Sequence, residues 1–577
     1  MLKHRFLRIL IAALLSCAVL SSSACIVVNR PHGTDEPDPE PPEQVELTFL
    51  KAEGESVKNA NGEDVYLRGV NLGGMFVTEH WMTGFSYTTK PNNDYKSLSK
   101  TFIERFGEEK TKALWKEYHE NWWSELDYKN CAEMGINVIR LPFSYMNVDF
   151  SAITSYEHAG ESYDFSDLDA FVTKAAEYGI YTILDLHGAY GSQNGQDHSG
   201  EIFDSASQVT FYSNPEMMNL TVKLWSALSE HYKDNPYVAG YDILNEPGEK
   251  AGLTSERHFA FYDKVYDAIR ATGDEHIVIF ESCWDGKDLP QPSMYGWENC
   301  IYSFHHYTNN NTNDDANTLA HGQSWNEKIE GITKQNFGVP IYMGEFTNYT
   351  TKAKWDYVLG QLNRLNWHWT SWTYKVCGGT PWGIVDIRLD NDDKIDANID
   401  EYDDIIAKIK LLRTDGAKAK EYTFPDGKTT LKSVFKRYTQ EPPQTEKLEE
   451  EMYVFDTDSG FLGYKGVVGG TTVFNLSDDY YASSMLKLSY HPSGDGSVYF
   501  KFNNLYMCVF TNGGTKYLTL KTLSNTSDAD ARFYPVSYGG GWAFISRSAC
   551  KFIAENSDGL LVLSASTLDE AAIFYYS

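Results

Sequence analysis

Basic residues are scarce in this chain: 50 Lys and Arg stand against 80 Asp and Glu, a formal net charge of −30. Phosphate backbones and anionic lipid surfaces require a basic face, so nucleic acid and an anionic membrane surface are not expected as partners; a membrane is expected only through an N-terminal lipid. Cysteine is also sparse, eight in 577 residues, and none stands in a CxxC pair. That argues against a zinc site and a disulfide scaffold, and no metal or cofactor is expected. Cys283 and Cys300 could bridge in an exported chain, but unpaired buried thiols are expected at least as readily. No apolar run is long enough for a membrane span. What the chain does have is a globular 42% of hydrophobic residues and 14% aromatics, with 39 Tyr and 14 Trp. An acidic, aromatic-rich protein suits a neutral, sugar-like partner.

The first residues read as an export signal. Lys3, Arg5 and Arg8 precede ILIAALLSCAVL, and the small residues SSSAC follow. A signal over 1–25 is expected, and the protein should be secreted or held at the cell surface. LLSC ending at Cys17 and SSAC ending at Cys25 resemble bacterial lipoprotein processing sites, each with one departure, at Leu15 and Ser22. Plain cleavage after Ala24 is the alternative. Residues 26–45, rich in Pro and acid, form a linker that cannot bury a core.

Between residues 46 and 440, eight short apolar runs alternate with amphipathic helical stretches. They are YLRGVNL (66–72), NVIRLPF (137–143), YTILDLH (181–187), GYDILNE (240–246), IVIFES (277–282), IYSFHHY (301–307), VPIYMGE (339–345) and HWTSWTYK (368–375). Strand–helix alternation of this kind predicts parallel βα units, and eight of them predict an α/β (β/α)8 TIM barrel. A second Pro- and acid-rich linker, 441–451, precedes residues 452–577, which read as short strands and Gly-rich turns. There VYFKFNNLYMCVF (498–510) lines up with WAFISRSACKFIA (542–554), and DADARFYPV (528–536) with DEAAIFYYS (569–577). A period of about 42 residues predicts a threefold all-β domain, a β-trefoil.

In such barrels the C-terminal strand ends form the active face. Six of the eight runs carry Arg140, His187, Asn245, Glu246, His305, Tyr307, Glu345 and Trp372, which are expected towards that face. So many polar and aromatic strand ends on one rim are hard to read as ordinary loop residues. Glu246 and Glu345 supply the two carboxyls that glycoside hydrolysis requires, one to protonate the leaving oxygen and one to attack the anomeric carbon or activate water. A cation such as Arg140 beside Glu345 would suit the nucleophile, with Glu246 expected to rest protonated until Glu345 loses its charge.

The stretches LRGVNLGG (67–74), NVIRLPFSY (137–145), DLHGAYGSQNGQDHSG (185–200), YDILNEP (241–247), FHHY (304–307), MGEF (343–346) and SWTYK (371–375) resemble, in order, glycoside hydrolase family five. The exo-β-1,3-glucanase branch is the most similar. The resemblance implies that Glu246 is the acid/base and Glu345 the nucleophile of a retaining reaction. It implies that Asn245 holds the sugar 2-hydroxyl, Arg140 and Tyr307 bond the nucleophile, and His305 adjusts the acid/base. Trp372 would be the stacking floor, and Glu79, His187, Asn194 and Asp197 would serve substrate hydroxyls. The sequence departs from that branch at Met75, Tyr190, Gln196 and Asn310, where Trp, Pro and two Phe are usual. β-1,3-Glucan is therefore the expected substrate, with β-1,4- and β-1,6-linked glucans as alternatives, and a non-catalytic sugar-binding protein as the rival from another class. The C-terminal domain resembles fascin-like or ricin-type modules and would bind carbohydrate or serve only as structure. A monomer is expected. DNDDKIDANIDE (390–401) resembles a calcium loop, but Lys394 and Ile395 replace a ligand and a turn glycine, so it reads as a solvated acidic loop.

Overall fold

The computed structural model describes residues 46–576, apart from 87–93, 204, 206–207, 249–253, 283–288, 309–313, 379–380, 479–485 and 526–527. The signal, both processing cysteines, the first linker, Cys283 and Asn310 lie outside the described residues.

Eight parallel strands close a barrel: β1 (Arg68–Asn71), β2 (Val138–Ser144), β3 (Tyr181–Gly188), β4 (Val238–Asp242), β5 (Ile277–Glu281), β6 (Cys300–His306), β7 (Ile341–Phe346) and β8 (His368–Ser371). The ring closes where Trp369 of β8 pairs with Arg68 of β1. Nearly every strand residue is buried, which is why these runs read as continuously apolar rather than alternating. Gly69 is required at the β1–β2 contact, where a Cβ would collide with the Val138 carbonyl. One end of the barrel is plugged by Leu47, Leu50 and Val57, packed on Val138, Ile183, Ile277 and Ile301. The chemistry is left to the other end.

The crossover helices show the expected signals. Helix α1 (Pro215–Tyr232) starts with Asn214 accepting from the Glu216 N–H and with Pro215 in its first turn. Its buried stripe (Met217, Thr221, Leu224, Trp225, Leu228) faces the barrel, and Trp225 Nε1 donates to the Ile243 carbonyl at 3.0 Å. That bond fixes the chain two residues before Asn245. Between β5 and β6 only a 3-10 turn, Pro292–Met294, is found among the described residues.

The described residues of 452–576 form strands joined by turns and two short 3-10 helices, with their own core of Phe455, Phe474, Phe500, Phe544 and Phe574. Two of their hairpins matter below: β9 (Leu488–Pro492) with β10 (Val498–Phe502), and β11 (Phe533–Tyr538) with β12 (Gly541–Ser546). This domain and the barrel belong to one compact unit. Helices α2 (Asp315–Thr333) and α3 (Lys352–Arg364) carry the contact. Glu330 of α2 accepts from Arg547 Nε and Nη2 at 2.6 and 2.8 Å and from Tyr534 Oη at 2.6 Å. Arg364 of α3 lies over the Tyr534 ring, 4.8 Å from its centroid. Segment 441–451 is strapped down: the Asn366 side chain pairs with both the N–H and the C=O of Gln444 (2.9 and 2.7 Å), whose Oε1 accepts the Ser537 N–H. Arg547→Ala would leave Glu330 buried with its charge partner gone. A loss of about 2 kcal/mol is expected, read as a lower thermal midpoint with hydrolysis intact at temperatures where the variant is folded.

Cys131, Cys300, Cys377 and Cys508 are buried free thiols, and Cys550 is a partly buried one. In the acidic loop, Lys418 pairs with Asp390 and Asp393 and Lys408 with Asp400, while Ile395 is buried. Among the described residues no helix is long and apolar enough to cross a membrane.

Candidate active site

Arg140, in the middle of β2, is completely buried and organises the open end of the barrel. Its Nε donates to Asp242 (2.8 Å), Nη1 to Glu345 Oε1 (2.8 Å) and Asn71 (3.0 Å), and Nη2 to Glu281 Oε1 (2.7 Å) and Asn245 Oδ1 (2.9 Å); Asp185 lies 3.1 Å from Nη2. Four carboxyl groups around one guanidinium would be untenable if all were ionised. Burial pushes Asp185 and Asp242 well above the ordinary carboxylate range, which relieves the excess. Glu281 goes the other way. Burial alone would raise it, but His305, Arg140 and the Glu246 N–H outweigh that and bring it down to about 2.

Glu345 accepts a second hydrogen bond at Oε2 from Tyr307 Oη, 2.7 Å away. Gly344 lets β7 approach β6 here, since a Cβ would come within 2.6 Å of Ser303 Oγ and 3.0 Å of His305 Nε2. Across the site, β4 ends at Asp242 rather than at Glu246, so the strand is shorter than its apolar run. The Asn245 N–H still bonds the Leu186 carbonyl, and Glu246 then adopts a left-handed backbone, φ +42°. A non-glycine residue there costs about 1–2 kcal/mol and persists only when its surroundings hold it. The Glu281 carboxylate takes the Glu246 N–H at 2.7 Å, and Asn194 Nδ2 donates to its carbonyl at 3.2 Å.

His305 Nδ1 lies 2.9 Å from Glu246 Oε1 and 3.6 Å from Glu345 Oε2, and His198 Nε2 approaches Glu246 Oε2 at 3.3 Å. Carboxylate oxygens of Glu246 and Glu345 and a ring nitrogen of His305 all lie within 4.8 Å of one another. Burial disfavours charge on both Glu246 and His305, yet the surrounding groups reverse it in each. The His305 hydrogen bond and the two histidine charges hold Glu246 below its ordinary value, while the Glu281 and Glu345 charges hold His305 well above its own. The pair's proton therefore rests on His305, not on Glu246 as the sequence led us to expect, because a buried imidazole among three carboxyls is the better base.

The other expected residues also gather here. His187 is held neutral, pushed down to about 3 by burial; it bonds Asp185 at 2.6 Å and reaches to 3.9 Å from Glu345. Its ring packs parallel to Trp372 at 5.2 Å. Asn245 Nδ2 has no hydrogen-bond partner. Glu79, raised well above its ordinary value by burial and the Asp197 charge, accepts from Trp81 Nε1 at 2.7 Å, and Asp197 lies 2.8 Å from His80 Nδ1. Asn194 is spent on the protein, bonding His198 and the Glu246 carbonyl. Sequence reasoning missed Asp185, Asp242, Glu281, His198, Asn71 and Gln193; the last bonds the His187 and Asn245 carbonyls at 2.7 and 2.8 Å. Two of these left a signal: an aspartate inside YTILDLH and one inside GYDILNE are charges in otherwise apolar strands, and such charges need a partner.

Residues 100–378 match the cellulase family, glycosyl hydrolase family 5. That match lies within the barrel and marks it as a glycoside hydrolase domain similar to family 5. Among similar proteins, a β-xylosidase of Phanerodontia chrysosporium is 27% identical over 372 residues, 60% of this chain and 74% of that protein. A glucan 1,3-β-glucosidase of Pichia angusta is 28% identical over 247 residues, 41% of this chain and 54% of that enzyme; one of Blumeria graminis is 28% identical over 58% and 79%. Among solved structures, an endogalactoceramidase covers 92% of the chain at 16% identity and TM-score 0.44, and the rutinosidase of Aspergillus niger covers 55% at 17% and 0.43. The chain is thus a glycoside hydrolase, and the rim described above, where Glu246 and Glu345 face each other, is its candidate active face.

Proposed function

We propose that this enzyme is an exported, retaining β-glucanase that cleaves β-1,3-linked glucan by double displacement. The observation that carries the retaining assignment is the closeness of the carboxyls: one oxygen of Glu246 lies within 4.8 Å of one oxygen of Glu345. Retaining enzymes keep the two groups about 5–5.5 Å apart, whereas inverting ones need about 6.5–9.5 Å to admit a water. In the first step Glu345 attacks the anomeric carbon as the bond to the leaving oxygen breaks, and its hydrogen bonds from Tyr307 and Arg140 weaken as its charge is neutralised. Glu246 passes a proton drawn from His305 to the leaving oxygen. In the second step Glu246 takes the proton of an incoming water, which displaces Glu345. The unpartnered Asn245 Nδ2 suits a sugar 2-hydroxyl, and Trp372 suits the sugar's C–H face. The rival reading as a non-catalytic binder has no missing carboxyl to support it.

The β-1,3 linkage rests on the glucan 1,3-β-glucosidases among the similar proteins. Incubation with laminarin, pustulan, lichenan, carboxymethyl-cellulose and mannan, with an aryl β-xyloside alongside, tests it. Fastest release of glucose or short β-1,3-oligosaccharides from laminarin is expected; release confined to any other member overturns it.

The trefoil reading and glucan binding by the C-terminal domain draw support from a comparison of its two hairpins. Pair for pair, Tyr490/Phe500 in β9–β10 matches Pro535/Phe544 in β11–β12, with Phe500 and Phe544 both in the core. The outward pairs differ in kind. In β11–β12 they are Tyr534/Ile545 and Val536/Ala543, buried in an apolar cluster with Tyr357 of the barrel. In β9–β10 they are Ser489/Lys501 and His491/Tyr499, half-buried and polar-aromatic. The His491 and Tyr499 rings stack at 5.0 Å, and Tyr506 follows at 5.7 Å. One copy's face docks on the enzyme, and the other presents rings suited to a sugar chain. The Tyr499→Ala, Tyr506→Ala double variant should bind insoluble β-glucan at least ~10-fold more weakly and hydrolyse a soluble aryl β-glucoside unchanged. Undiminished pull-down on the insoluble glucan would remove the assignment.

A further inference from the structure

We propose that Glu281, at the C-terminal end of β5, is a positioning residue that couples the backbone of Glu246 to the proton of His305. The inference rests on the hydrolase reading above. Glu281 is 1% exposed and touches neither reacting carbon nor leaving oxygen, yet its two oxygens serve the two requirements of an acid/base. Oε2 takes the Glu246 N–H at 2.7 Å and so holds the left-handed turn that aims the carboxyl. Oε1 takes Arg140 Nη2 at 2.7 Å and faces His305 Nε2 at 3.3 Å as an ion pair. The imidazole thus bridges two carboxylates, with Glu281 at Nε2 and Glu246 at Nδ1. A negative charge at the far nitrogen keeps the ring protonated and its Nδ1–H directed at Glu246.

The charged groups facing His305 are Glu281, Glu246 and Glu345, with Arg140, Asp185 and His198 beyond them. Of these, Glu281 combines contact with His305 with a hydrogen bond to the Glu246 backbone. The pair Glu246/His305 must hold one proton to protonate the leaving group, and Glu281 stabilises that protonated form. Removing its charge therefore lowers the pH at which the proton is lost.

The test uses the full chain and two substrates: laminarin-type oligosaccharide, whose leaving oxygen needs a proton, and 2,4-dinitrophenyl β-glucoside, whose leaving group does not. The native protein is assayed first, together with Glu345→Gln. If the native protein turns over neither substrate, the hydrolase reading fails, and that is distinct from failure of this proposal. For Glu281→Gln, which keeps the shape and a carbonyl acceptor for the Glu246 N–H, kcat/KM on the oligosaccharide should fall ~10²–10³-fold. On the activated glucoside it should fall about tenfold or less. The alkaline limb of the kcat/KM profile should move down by about 1–3 pH units, the shift expected from losing one opposite charge in contact. Glu281→Asp, which restores the charge, should return that limb towards its native position. Equal losses on both substrates, or an alkaline limb that stays where it was, overturn the proposal. If Glu281→Gln does not fold, His305→Gln decides: the proposal requires the same downward displacement, and an unmoved limb refutes it.

Discussion

Glu345→Gln is expected to lower turnover of an activated β-glucoside by at least ~10⁴-fold while leaving the fold intact. The loss is large because the amide has no electron pair fit to attack the anomeric carbon, so no glycosyl-enzyme can form. The fold survives because each local contact has a replacement. The amide oxygen can still accept from Arg140 Nη1, which also holds Asn71, and the amide N–H₂ can donate to Tyr307 Oη. Arg140 keeps Asp185, Asp242 and Glu281 as partners, so no charge is orphaned. Kinetics on the aryl glucoside, with a thermal melt of the same sample, check both halves. Native-like turnover would dismiss Glu345 as nucleophile, and a collapsed melt would mean that its charge is structural.

Glu246→Ala tests the partner carboxyl and separates the two steps. On unactivated glucan a loss of about 10²–10⁴-fold is expected, the usual contribution of a positioned general acid. On an activated aryl glucoside the first step should proceed, because the leaving group needs no proton, and the glycosyl-enzyme should accumulate. Azide needs no general base, so adding it should restore turnover and yield the β-glycosyl azide. Detection of the β product by NMR supports two inversions at one carbon; an α product would refute retention. His305 and His198 remain beside the empty position, but neither occupies the place of the Glu246 oxygens.

Much of this site could be read from the sequence because strand ends are locally encoded. An apolar run followed by Asn245–Glu246 or Glu345 marks both the strand and the residue it delivers, and the barrel places those ends together. Arg140 could be placed for the same reason, being one charge in the apolar run NVIRLPF. What could not be read was long-range. Glu281 looks like the unremarkable end of IVIFES, and its meaning comes from atoms 35 residues away at Glu246 and 141 away at Arg140. The resting position of the proton was likewise hidden, because it depends on three carboxyls meeting one imidazole in a buried site. The 441–451 segment was read as a linker from its prolines and acids, and nothing local shows that the Asn366 side chain would clamp Gln444 in place.

That strap, with the Glu330–Arg547 pair, sets the enzyme's reach. A module on a loose tether samples many positions, and its contribution to avidity falls with tether length. Here the tether has no slack, so the Tyr499 face and the barrel mouth stand at one separation. If the Tyr499 face binds glucan as proposed, a glucan long enough to span both is held at high effective concentration, and a shorter oligosaccharide gains nothing from the second domain. Chain length itself then becomes a specificity determinant, set by the architecture rather than by any residue in the cleft.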